Sequence, residues 1–140
     1  MAYPVNSGLQ LAEFAMSDLQ PELKTDIMWY VSMGSGQTIV DPFLGLIRAT
    51  FWNGGMPPLQ DGIFAAVWAI QHCIDLNAGG VKGPIAIATL TRANNKDAAR
   101  FLTEGELQEH QEHVTGAIGH LRAYRKPLRE VPEIPAAPAQ

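Results

Sequence analysis

The stretch Met56–Gly80, MPPLQDGIFAAVWAIQHCIDLNAGG, decides how this chain is read. Between Asp61 and Asp75 it carries no charge, and Ile63, Val67, Ile70 and Ile74 recur at helical spacing. Phe64, Ala66, Trp68 and Cys73 widen that stripe until it nearly encircles the helix. A helix apolar almost all round must be wrapped by other elements. Pro57 and Pro58 suit its start and the Gly79–Gly80 pair suits its end, which places a central helix at about 58–77.

The elements around it read as further helices. Asn6 or Ser7 caps a first one over 8–19, with Leu9, Ala12, Met16 and Leu19 on one face. A second over 20–33 groups Leu23, Ile27, Tyr30 and Val31, and Gly34-Ser35-Gly36 breaks it. That glycine-rich turn lacks a following Lys-Ser or Lys-Thr pair, so it is no phosphate loop. Asp41-Pro42 opens a third helix, with Phe43, Leu44, Ile47 and Phe51 inward and Asn53-Gly54-Gly55 as its stop.

After Gly80 the pattern is ambiguous. Ile85, Ile87, Thr89 and Thr91 alternate as in a strand. No second strand of comparable quality is visible, and a lone strand leaves its backbone unsatisfied. A short buried helix is therefore expected there, followed by a turn or helix start at Asn94–Asp97 and a short AARFL helix. Thr103 then opens the last helix with a capping box completed by Glu106. It runs to about Lys126, acidic at its start and basic at its end, as the helix dipole favours. Leu107, Val114, Ile118, Leu121 and Tyr124 form a near-heptad seam on it.

The sequence thus predicts an all-α domain over 1–126, five to six helices around the central one, with extended arms at both ends. The tail 127–140, PLREVPEIPAAPAQ, has four prolines and little to bury.

Composition narrows the function. The 140 residues are 46% hydrophobic and 17% charged, a surface poorer in charge than usual. That suits a small domain, and equally a subunit partly covered by neighbours. A net charge of −4 argues against a general phosphate-binding surface. A helix-turn-helix reading of 87–102 fails on the acidic helix that follows it, so nucleic-acid binding is not expected. The N-terminus lacks a basic region followed by an apolar run, so no signal peptide is expected and synthesis is taken as cytoplasmic. The apolar run 62–74 is too short to cross a bilayer.

Chemistry-bearing residues are few. Cys73 lies on the apolar helix and reads as an inert thiol. His72 beside it points about 100° away, so the two are no nucleophile–base pair. On the last helix, Glu106, His113 and His120 follow one flank with His110 beside them, a donor set with some affinity for transition metals. It matches neither the H-E-x-x-H pattern nor a Glu-x-x-His repeat, and it reads as a solvated acidic face. No metal, cofactor or catalytic residue is expected.

The leading expectation is a non-enzymatic structural subunit that self-associates into a homo-oligomer or larger particle, of which a virion or phage component is one form. Its expected contact residues are Trp29, Trp52, Leu107, Val114, Ile118, Leu121 and Tyr124, and in the tail Pro132, Ile134 and Pro135. The alternatives are a helical metal-binding or enzymatic domain using the histidine flank, and a regulatory protein that binds a different partner through its helices.

Overall fold

Several of the segments expected as helices are strands. In a computed structural model, which describes residues 1–6, 8–14, 17–52, 55–76 and 78–125, five strands form two antiparallel sheets beside three α-helices. The all-α expectation of five to six helices is therefore corrected to an α/β fold.

Strands β1 (Ala2–Val5), β2 (Gly8–Phe14) and β3 (Pro21–Leu23) pair in chain order. They replace the helices expected over 8–19 and 20–33. The apolar residues of those segments fit a helical face in isolation, but pairing satisfies every second backbone group and overrides that weak local preference. The register sets Glu13 directly opposite Glu22, a like-charge pair that alone destabilises a sheet. Lys24 resolves it, with Nζ 2.8 Å from Glu13 and 2.7 Å from Glu22. The hydrogen bonds to Glu13 and then Glu22 raise the Lys24 pKa.

Helix α1 (Gln37–Phe51) begins earlier than Asp41-Pro42 predicts, leaving Pro42 inside its second turn. Asp41 is no cap. Its carboxylate accepts hydrogen bonds from Ser32 and from Gln37, the latter at 3.2 Å, and so ties the irregular 24–36 segment to the helix. Leu44 and Ile47 face inward as expected, whereas Phe51 is half exposed. Gly36 precedes α1 because a side chain there would meet Cys73 Sγ at 2.6 Å.

Helix α2 (Leu59–Asp75) is the central helix, and it is buried nearly all round. Ala65, Val67, Trp68, Ala69 and Cys73 are all inaccessible or almost so. Leu44 and Ile47 of α1 pack on it from one side and Val114 from another, making a single core cluster with Ile63, Ala65, Val67, Trp68 and Ala69.

The ambiguous segment after Gly80 is extended. Strands β4 (Ala88–Ala93) and β5 (Lys96–Phe101) form a hairpin, so the short helices expected over 84–91 and at AARFL are corrected. The missing second strand was KDAARF, whose Lys, Asp and Ala residues have poor strand propensity. Its ladder and turn hold it instead. Asn94 and Asn95 occupy the two-residue loop with φ of 51° and 59°, the left-handed pair that a tight hairpin turn demands and that Asn tolerates. Arg92 and Asp97 face one another across the strands with Nε 2.6 Å from Oδ1.

Helix α3 (Glu104–Tyr124) carries the expected capping box, with both halves formed between Thr103 and Glu106. The Pro-rich tail from Pro127 lies outside the described residues, as do the Ser7 cap and the Asn53-Gly54 stop.

The left-handed turn gives a direct check. Asn95→Val should destabilise the fold by about 1 kcal/mol or more, since a β-branched residue resists positive φ, while Asn95→Gly should hold or raise stability. Urea unfolding of both variants measures the difference.

Candidate functional site

An open groove of about 810 Å³ lies between α3, the first turns of α2 and the end of β5. All four residues of the proposed histidine flank, Glu106, His110, His113 and His120, lie along it. The sequence periodicity thus brings them to one place, but not into one coordination sphere. The His110 and His113 rings are 6.4 Å apart between centroids. Among the described residues, no group of three or more His, Cys, Asp or Glu side chains is arranged to hold a metal ion.

Glu106 has other work. Its carboxylate takes a two-pronged ion pair from Arg100, with Nη2–Oε1 at 2.6 Å and Nη1–Oε2 at 2.8 Å. The Thr103 N–H and hydroxyl also donate to it, at 2.8 and 3.0 Å. Arg100 first, and then Thr103, hold the Glu106 carboxyl at about 2, well below its ordinary value. A carboxylate so engaged closes the junction between β5 and α3 and is not free to ligate. Arg100 was not visible as its partner in the sequence, because the segment around it was expected to be helical.

The aromatic candidates form a second feature. Trp29 packs edge-on against Tyr30 and Trp52, at 5.4 and 5.7 Å between centroids. Trp52 donates from Nε1 to Asp61 at 3.1 Å, whereas the buried Nε1 of Trp29 has no partner among the described residues. Trp29 and Tyr30, with Met56, Pro57, Leu59 and Ile87, line an apolar groove of about 590 Å³. Met56 and Leu59 on its rim are exposed.

The seam on α3 divides. Val114 is buried and Leu107 and Ile118 pack partly against the core, so these three are covered by the chain's own helices. Leu121 and Tyr124 continue the seam beyond that contact and stay 59% and 72% exposed. Pro132, Ile134 and Pro135 lie outside the described residues.

No catalytic pair is assembled on α2. His72 stacks on Phe43 at 4.4 Å, and Cys73 is buried against Gly36. Among the described residues no helix is long and apolar enough to cross a membrane. Comparison with protein-family models, curated proteins and solved structures gives no match.

The Glu106 geometry fixes a pH dependence. Its folded pKa is depressed, so the stability it supplies is complete above its ordinary value of 4.5 and is lost as pH falls through about 2. Glu106→Gln should be less stable than the parent at pH 6, and the gap between their melting temperatures should close across that window. A gap that does not change with pH would sink this role.

Proposed function

We propose that the protein is a non-enzymatic assembly subunit that works by packing against further copies of itself. The observation that supports this reading is the imbalance of apolar burial. Ten hydrophobic residues form the described core, and only Val67 and Cys73 among the larger side chains are fully buried. Sixteen large hydrophobics are exposed, among them Ile27, Leu46, Phe51, Met56, Phe101 and Tyr124. Single exposed apolar residues are ordinary, but among the described residues the large exposed ones outnumber the fully buried hydrophobics.

Magnitudes favour a cluster. Burying one such side chain contributes about 1.5–3 kcal/mol, while association costs about 4–15 kcal/mol in lost freedom. One residue cannot hold a partner; several acting together can. Leu121 and Tyr124 at the end of α3, and Met56 and Leu59 beside the Trp29–Trp52 pair, are grouped closely enough to act so. The terminal arm residues Pro132, Ile134 and Pro135 belong to the same proposal as a clasp on a neighbour. A particle subunit, such as a virion component, is its larger-scale form.

Light scattering over a wide concentration range tests this directly. The full chain should show a defined multiple of 15.2 kDa, and a chain cut before Pro127 should assemble more weakly. A monomer at every concentration overturns the reading. A stable complex with an unrelated protein, in place of self-association, would move the function to regulation of that partner.

A further inference from the structure

The two halves of α3 are complementary to one another. From Glu106 to His120 the helix forms one wall of the large groove, to which α3 brings Glu109 and Glu112 beside His110, His113 and His120, and α2 brings Asp61, above apolar Ile63 and Phe64. Arg100, which β5 brings to the groove, is already held by Glu106. The groove is therefore acidic at its rim and apolar at its base.

The second half is the reverse. From His113 to Arg125 the chain has no acidic residue, and Arg122 and Arg125 are both exposed. Beside them stand Leu121 and Tyr124, the part of the seam that no other described element covers. An apolar strip bordered by cations is what an acid-rimmed apolar groove accepts, in the manner of an amphipathic helix laid along a cleft. No segment of this helix can fold back into the groove that the helix itself walls. A second copy can reach it.

We propose that the C-terminal end of α3 in one copy docks into the α2–α3 groove of another, with Leu121 and Tyr124 on its base and Arg122 and Arg125 against Asp61, Glu109 and Glu112. The proposal rests on the self-assembly reading and names its surface. Dimensions agree. The groove follows α3 from Glu106 to His120, about 21 Å at 1.5 Å per residue, and the exposed end from Gly119 to Arg125 occupies about half of that length. Donor and acceptor lie on one helix, so a reciprocal exchange gives a closed two-fold pair.

Charge reversal with rescue tests the docking. Glu109→Arg with Glu112→Arg changes the groove, and Arg122→Glu with Arg125→Glu changes the end; all four side chains are exposed. Circular dichroism and thermal melting report whether each variant keeps its fold, and Leu121→Gln serves as an uncharged second probe of the end. In sedimentation velocity on the full chain, each reversal alone and Leu121→Gln should weaken self-association at least tenfold. An equimolar mixture of the two reversed proteins should restore it, because each then offers what the other accepts. An assembling parent whose mass is unchanged by both reversals, or a mixture that does not recover, overturns the docking and leaves assembly through another surface standing. A parent that is monomeric throughout overturns both readings.

Discussion

Everything in this molecule depends on the need to enclose α2. Its thirteen residues from Gly62 to Ile74 carry no charge, and a helix of that kind is stable in water only when other elements take its surface. Several elements supply that cover. α1 supplies Leu44 and Ile47, α3 supplies Val114, and Ile87, in the extended run before β4, packs at the edge of the same cluster. Gly36 lets the start of α1 approach Cys73 without a clash. That cover is thin. Phe64 and Trp52 are only partly enclosed, and Phe51 is left half outside. The incompleteness of the wrap, not any reactive group, is what directs attention to association.

The peripheral strands are held by a different kind of interaction. Neither sheet contributes many residues to the core, and a two-stranded hairpin is marginal by itself. Charge pairs do the local fixing. Lys24 neutralises two facing carboxylates in the N-terminal sheet, and Arg92 pairs with Asp97 while also donating to the Val5 carbonyl, which joins the hairpin to that sheet. Arg100 then joins the end of β5 to the start of α3 through Glu106. Exposed ion pairs contribute little each. Their role here is positional: they fix how sheet, hairpin and helix sit against one another.

What could be read from the sequence follows the same division. The two helices with strong signals, a continuous apolar run in α2 and a capping box in α3, lie close to where the periodicity puts them. The strands did not announce themselves, for separate reasons. The apolar residues of Gly8–Phe14 also fit a helical face, and Pro21–Leu23 is too short to show a period. The hairpin did leave a signal, the Asn94-Asn95 pair between two runs of equal length, but weak β propensity in Lys96–Arg100 concealed its second strand. At the candidate site, the spacing puts Glu106, His113 and His120 on one flank of α3 with His110 beside them, and all four line one groove. It could not reveal that Glu106 is engaged by Arg100, because that contact depends on a strand-to-helix corner.

The sheet edges also explain why association would run through helices. An open edge presents unpaired N–H and C=O groups and invites another strand. In the three-stranded sheet the two edges are β1 and β3, and each contains a proline, Pro4 and Pro21, which removes a donor from the ladder. In the hairpin, β5 carries Lys96, Asp97 and Arg100 within its six exposed residues, and charge on an edge discourages the addition of a like strand. On the helices, open apolar surface lies on α1, at the start of α2 and at the end of α3. The last of these is the one that also carries a charge pattern matched by a groove on the same chain, and a matched charge pattern is what separates specific docking from indiscriminate hydrophobic contact.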